Sequence, residues 1–322
     1  SVAAKTPTST SYVHIFDHSE DTEGDLPGQV FMEHLGEAAD AAGVQPYFET
    51  WGRKVIMEDG KVVGLLAEDE KGNVIKVEAP VVSIGTGGYA NNHEFLYGVS
   101  ETKNVNIQAL GMECRDGDDV KMAKAAGAAM AEGLGTVMWC GPVTLGAVTA
   151  TWTTDAYSAG VQPTLWLNQN GERFCKEDLW IDDFAGAGIA VRNQDRTFAL
   201  FTETDMKRWE AQGPDGQVFS FGTSGTPLAK AREDLMNAEG CHVGDGYYTT
   251  CGGIKVNEKT QILDEEGQVI PDLYAGGSDA GGLYGDSYDV KFAPGSQAGW
   301  AVNSGCLAVK DAKEYPRQVA YS

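Results

Sequence analysis

The sequence predicts an α/β protein whose main sheet is interrupted by an insertion. Three observations predict it. Two short apolar strands end in glycine runs nearly two hundred residues apart, VVSIGTGG at 81–88 and LYAGG at 273–277. A run of β-rich segments punctuated by Asp59-Gly60 and Gly72-Asn73 leads into the first of them. Between the two ends the composition changes to an Ala/Gly-rich helical stretch, a tryptophan-containing run and a hairpin signal. A strand that stops at glycine and later feeds a helix start lets backbone come close to a ligand. The same pattern suits a tight strand–loop–helix packing joint, and the residues alone leave both readings open.

Taken in order, residues 1–27 lack periodicity and read as loop. Residues 28–43 place Phe31, Leu35, Ala39 and Ala42 on one helical face, with Gly43 as the stop. VQPYFETW and the segments around Asp59-Gly60 and Gly72-Asn73 read as a β-meander, followed by a buried strand ending at Gly85-Thr86-Gly87-Gly88. DGDDVKMAKAAGAAMAEG, from Asp116, reads as a helix. TLWLNQNGERF reads as a hairpin turning at Asn170-Gly171, FSFGTSGTP as loop, and Lys230 to Asn237 as a polar helix. Last come the strand Leu273–Ala275, a glycine-rich loop, and a small-residue helix from about Ser296. An insertion of residues 93–244 into one α/β domain, with 1–92 and 245–322 on either side, fits this order.

The 322 residues are 42% hydrophobic and 22% charged, ordinary for a globular chain with a sizeable core. A formal net charge of −23 argues against nucleic acid or an anionic membrane surface as partner. No apolar run reaches the ~20 residues of a membrane span, and no leader pattern opens the chain. The six cysteines form no C-x-x-C pair, and the five histidines form no helical ligand pair. His14 and His18 sit in an acidic, non-helical segment, so no metal is expected.

Four stretches together resemble the flavoprotein subunit family of fumarate reductases and succinate dehydrogenases, with its soluble flavocytochrome, urocanate-reductase and ketosteroid-dehydrogenase relatives. VVSIGTGGYANN is similar to the family's "ATGG" strand end, and RDGDDVKMAKAAGAAM to its "GDGIKMAxxAGA" helix start. LWLNQNGERFCKED resembles its "vNxxGkRFvnE" hairpin. YYTTCGGIKVNEKTQILDEEGQVIPDLYAGGSDAGGLYG resembles its long glycine-rich signature. The resemblance implies a split FAD-binding (Rossmann-like) domain with an inserted α+β cap domain. It implies FAD held at Thr86, Gly87, Gly88, Gly252, Gly253, Gly277, Ser278, Gly295, Ser296 and Gln297. A helix starting near Ser296 would offset negative charge at the pyrimidine edge of reduced flavin. A haem protein or other electron donor is a partner the resemblance allows. No C-x-x-C-H motif occurs in this sequence, so any haem lies elsewhere.

The sequence also departs from the family. Its opening G-x-G-x-x-G unit is not found here, and the chain reads as the remainder of a longer one. The join from Leu235 to Tyr248 is short for the family, so residues near Cys241 are expected to be missing. Ile181 falls where the fumarate reductases carry their proton-delivering Arg, and Tyr284 where they carry a substrate-binding His; Lys291 is the cation nearest their second Arg. A dicarboxylate needs cations at both ends, so fumarate is not expected to be the substrate. Tyrosine is the chemistry on offer. GLYGDSYD resembles the ketosteroid dehydrogenases' "GhtYPGPG" at Tyr288, and a phenol can protonate an enone. The expected catalytic residues are Tyr284, Tyr288, Arg173 and Glu177, although the two tyrosines also read as packing or rim residues and Arg173 and Glu177 as a structural ion pair. Asp182 and Asp183 read as surface carboxylates. Trp139, Trp152, Trp166 and Trp180 read either as pocket lining or as core. The expected activity is FAD-dependent reduction of an activated C=C bond, an enone or aryl enoate, steroid-like compounds included. The alternative is a non-catalytic relative acting as a binding or assembly module.

Overall fold

The computed structural model describes residues 2–5, 10–13, 27–100, 107–109, 114–135, 137–145, 159, 162–179, 183–213, 227–233, 242–284, 288 and 295–314. Strands β1 (Val2–Lys5) and β2 (Thr10–Val13) pair antiparallel, Val2 opposite Val13. This corrects the loop expected there, since short Val/Thr/Tyr runs carry strand propensity without any long period. Helix α1 (Pro27–Ala41) ends as expected, with Gly43 left-handed at φ 77°. Its apolar face is not core, however, because Leu35 stands 50% exposed, Ala42 is exposed, and Phe31 and Ala39 are only half-buried.

The meander is β3 (Thr50–Glu58), β4 (Lys61–Asp69) and β5 (Val74–Glu78), antiparallel in that order. Asp59 and Gly60 both take positive φ, the conformation of the tightest hairpin turn. Next come β6 (Val82–Ile84), α2 (His93–Val99), β7 (Ile107–Ala109) and α3 (Asp118–Ala125). The α3 helix is shorter than its Ala-rich sequence suggests. Gly127 turns left-handed (φ 94°), and Ala128 and Met130 then bridge to Asp264 and Ile254 as extended chain.

A five-stranded sheet follows, built from β7, β8 (Val137–Leu145), β9 (Leu165–Asn168), β10 (Thr197–Leu200) and β11 (His242–Thr250). Its order is β7-β11-β10-β9, and β8 also pairs with β11. The expected hairpin turn is present: Gly171 is left-handed, and the Asn168 side chain accepts from the N–H groups of Asn170 and Glu172. The return arm is only a bridge, Arg173 to Leu167, and β9 instead pairs along its length with β10. Two helices belong to this part, α4 (Phe184–Arg192) and α5 (Glu203–Gln212). Asp183, expected on the surface, is half-buried and caps α4 through the Gly186 N–H. Trp166 is 2% exposed and therefore core. Trp152, Trp180, Asp182, Ile181, Lys291, His14, His18 and Cys241 lie outside the described residues, as does most of FSFGTSGTP.

The chain then returns to the first part with β12 (Gln261–Leu263), β13 (Val269–Ala275), a 3-10 turn at Gly277–Asp279, and α6 (Ser296–Glu314). β13 lies parallel to β6, Leu273 against Val82 and Ala275 against Ile84, with β12 on its other side. The two glycine-ended strands are therefore neighbours, and the Gly276 N–H donates to Ile84 O. One apolar cluster welds the meander, α3 and this sheet. It includes Val55, Val62, Ile84, Met122, Ile254, Ile262 and Leu273, each such buried side chain contributing ~1.5–3 kcal/mol.

The helix is fixed to the sheet by Asp311, which is nearly buried. It accepts from the Tyr274 hydroxyl, from Gln261 Nε2 and from Lys259 Nζ, at 2.8–3.0 Å. The Lys259 hydrogen bond, more than any other effect, holds the Asp311 carboxyl below its usual range. A depressed folded-state value means the stabilisation is present above about pH 4 and lost as pH falls through that value. Asp311→Ala should cost about 2–4 kcal/mol at neutral pH, because it strands buried Tyr274 and Gln261. Thermal melts should find this deficit shrinking below about pH 4.

Candidate functional site

The joint between the two glycine ends is organised by a residue the sequence reading passed over. The carboxylate of Asp279 is fully buried and accepts from the N–H groups of Thr86 and Gly88, each at 2.5 Å. The Gly87 N–H and the Thr86 hydroxyl add to it. Consecutive backbone N–H groups curled around an anion form a nest. The strand end at Thr86-Gly87-Gly88 is such a nest, and the chain's own carboxylate fills it. Burial pushes Asp279 up to about 6, against the pull of those donors. The sequence signal was available: an acidic residue between two glycine pairs, GGSDAGG, needs donors if it is buried.

The glycines separate into two kinds. Gly88 is left-handed (φ 84°), and a Cβ there would collide with the Thr250 hydroxyl. A Cβ on Gly252 would strike Gly133 O, and one on Gly253 would strike Asp279 O. Those two let strands of backbone lie against each other: Ala131 N–H donates to Gly253 O, and Ile254 N–H to Asp279 O at 2.7 Å. Gly295, in contrast, is left-handed (φ 74°) with nothing among the described residues within 4 Å of a built Cβ, and Gly85 is equally open. Gly277 is left-handed; its N–H donates to Ser304 Oγ and its carbonyl accepts from Trp300 Nε1, which seats α6 on the 3-10 turn.

Ser278 lies between three elements. Its hydroxyl is 3.2 Å from Thr249 Oγ1 and 3.4 Å from Gln297 Nε2. Ser296 Oγ is 3.1 Å from the Tyr284 hydroxyl, and the rings of Tyr284 and Tyr288 are 4.9 Å apart. Tyr288 is almost fully buried. Burial pushes both phenols up. The Ser296 hydrogen bond opposes this for each, and for Tyr288 so do the backbone N–H groups of Gln297, Ser296 and Gly295. The Tyr288 oxygen therefore faces the positive start of α6.

Thr86, Gly87, Gly88, Gly253, Gly277, Ser278, Gly295, Ser296, Gln297 and the two tyrosines are thus joined through direct contacts or one shared neighbour. Gly252 packs just behind, on the Gly133 side. Arg173 and Glu177 are elsewhere, after β9. Arg173 Nε donates to both Glu177 oxygens at 2.9 and 3.1 Å, and Glu177 also accepts from the Trp166 N–H. Among the described residues, neither bonds to any residue of the joint. Burial of Glu177 is outweighed by these donors, and its carboxyl sits below the usual range.

Among the described residues no cluster of His, Cys, Asp or Glu could hold a metal ion, and no helix is long and apolar enough to cross a membrane. A family model described as "FAD binding domain" matches residues 9–290. The chain belongs to that FAD-binding family. Membership implies FAD as the cofactor. The chain is 25% identical to a vinyl phenol reductase of Lactiplantibacillus plantarum, over 81% of this chain and 66% of the relative. It is 24% identical to a fumarate reductase (cytochrome) of Shewanella frigidimarina, over 92% and 57%. It thus spans between half and two-thirds of the length of these relatives. A flavocytochrome c3 fumarate reductase structure superposes with a TM-score of 0.59 at 20% identity, covering 90% of this chain and 57% of that one. A 3-ketosteroid Δ1-dehydrogenase from Sterolibacterium denitrificans gives 0.64 at 16%, covering 88% and 63%. The fold is mixed α/β, like that of the fumarate reductase flavoprotein subunits.

The two kinds of glycine give a paired prediction. Gly88→Ala should cost about 2–5 kcal/mol, from left-handed backbone plus overpacking against Thr250. Gly295→Ala should cost only the conformational part, ~1–2 kcal/mol. Denaturant unfolding of the two variants checks the order.

Proposed function

We propose that this protein is an FAD-dependent oxidoreductase that reduces an activated C=C bond, an enone or aryl enoate, with steroid-like enones in the same chemical class. The observation that carries this is the tyrosine pair held at the start of α6, next to the joint of the two glycine-ended strands. FAD, when bound, would supply the hydride through its N5 atom.

The residues fit a flavin in a particular way. The nest at Thr86-Gly87-Gly88 already serves Asp279, so those N–H groups are not offered to a cofactor. What remains open is the half-buried polar edge of Ser278 and Gln297, the backbone at Gly277, and the uncrowded faces of Gly85 and Gly295. These would hold the ring by close backbone approach. Gly252 and Gly253 would support it from behind by letting the chain pack tightly.

In this reading Tyr288 is the proton donor and Tyr284 aligns it. The phenol oxygen facing the N–H groups of Gly295, Ser296 and Gln297 is stabilised as it gives up its proton. Burial keeps the phenol protonated through the neutral range, so the donor is always loaded. Residues 93–244 would act as the cap that closes on substrate, with 1–92 and 245–322 forming the cofactor-binding part. The paired Arg173 and Glu177 would stiffen that cap, and a role for them in proton delivery would require the cap to bring them to the joint. A haem or other redox protein would supply electrons, as the name of the cytochrome-type relative suggests.

The test is to express the full chain with FAD and follow oxidation of a reduced dye on adding enones, cinnamates or steroids. Tyr288→Phe should lower turnover by about 10²-fold or more while flavin content stays constant. With FAD held saturating, ionisation of Tyr288 should not lower the wild-type rate on the alkaline side before about pH 10. Undiminished turnover in Tyr288→Phe removes that residue from the mechanism. A colourless protein that binds no FAD favours the non-catalytic module instead.

A further inference from the structure

A second acidic residue lies under the same joint. Asp119, in the first turn of α3, is fully buried. Among the described residues its two carboxylate oxygens have no hydrogen-bond partner beyond the weak pull of the helix-start N–H groups of Asp119 and Val120. The start of α3 is tied to the nest by one residue: Gly117 N–H donates to Gly88 O, and Gly88 N–H donates to Asp279. The Asp119 carboxyl feels the charge of Asp279, which adds to burial in pushing it up.

We propose that Asp119 and Asp279 hold one proton between them at neutral pH, and that this proton, resting on Asp119, keeps the joint at a single negative charge so that an anionic cofactor can lie against it. The two are positioning residues rather than catalytic ones. The cofactor half of the proposal rests on the FAD reading above; the pair itself does not.

The asymmetry follows from the donors. Asp279 has three backbone N–H groups and a hydroxyl to stabilise its charge, whereas Asp119 has almost nothing. Two buried anions at one joint repel each other with little solvent to screen them, so only one ionises readily. Burial first, then the charge of Asp279, pushes Asp119 up to about 8. Among the described residues no cation pairs with either carboxylate, although the Arg115 side chain lies against Gly87. Asp118, next in the helix, pairs outward with Arg53 and Lys121. Lys124 lies over the Phe95 ring, and Arg115 donates to Asn91. The Tyr89 hydroxyl accepts from the Gly135 N–H, and burial pushes the Cys251 thiol up to about 12, so both stay neutral.

The sign of the linkage is definite. A carboxyl raised in the folded state leaves stability intact below its unfolded value, about 4. That stability is lost as pH rises toward the folded value. The experiment compares the full wild-type chain with Asp119→Asn, and with Asp119→Ser should the amide fold poorly. Thermal melts are run between about pH 5 and pH 9 without added flavin, and FAD is titrated by its fluorescence at about pH 7 and pH 9.

Relative to wild type, the melting temperature of the variant should climb by several degrees across this range. Wild-type FAD affinity should fall about tenfold from the lower to the higher pH, and that of the variant should hold. A melting difference that does not change with pH overturns the shared proton, whatever FAD does. Melts that behave as expected in a chain that binds no FAD at any pH overturn the cofactor half and leave the pair standing.

Discussion

Everything in the joint depends on a buried carboxylate meeting a curl of backbone N–H groups. Asp279 comes from the turn after β13, and the nest comes from the turn after β6. The parallel pairing of the two strands brings the turns together, and the carboxylate then fixes their spacing more tightly than van der Waals packing would. An unpaired charge at that depth would be costly, so the nest and the acid require each other. The tyrosine pair, Ser278 and the start of α6 all take their positions from this frame. The Asp311 network at the other end of α6 keeps that helix from sliding along the sheet.

This arrangement changes what glycine is for. The usual expectation is that glycines at a strand end expose N–H groups to a ligand. Here Gly88 makes room for Thr250, and Gly252 and Gly253 make room for passing backbone. Among the described residues the uncrowded positions are Gly85 and Gly295, and Ser278 and Gln297 are half-buried polar groups of the same joint. The packing explanation therefore holds for Gly88, Gly252 and Gly253, and the ligand explanation is the one proposed for Gly85 and Gly295.

Much of the architecture was legible in the residues. The meander turns at Asp59-Gly60 and Gly72, the stop at Gly43, the turn at Asn170-Gly171 and the helix start at Ser296 all rest on local rules of backbone conformation. Such rules act over a few residues and need no partner. Family membership was legible for a related reason: four glycine- and turn-rich stretches in order carry more information than composition. Other features were not legible. The β1–β2 pair has too short a pattern to stand out, and the early end of α3 comes from chain recruited into bridges with Asp264 and Ile254. The exposure of Leu35 and Ala42 on α1 shows that an amphipathic period guarantees a face and not a partner.

The sequence by itself determined that two glycine-ended strands exist, that they flank a change of character, and that Ile181 and Tyr284 fall where the motifs of the family it resembles carry an arginine and a histidine. Only the tertiary structure decided that Asp279 fills the nest, that Asp119 is buried almost without donors, and that Arg173 and Glu177 bond to each other and, among the described residues, to no residue of the joint. The physical reason is range. Turn and helix signals are set by neighbours in sequence, whereas burial and charge pairing are set by residues more than a hundred positions apart, which only the folded chain brings into contact.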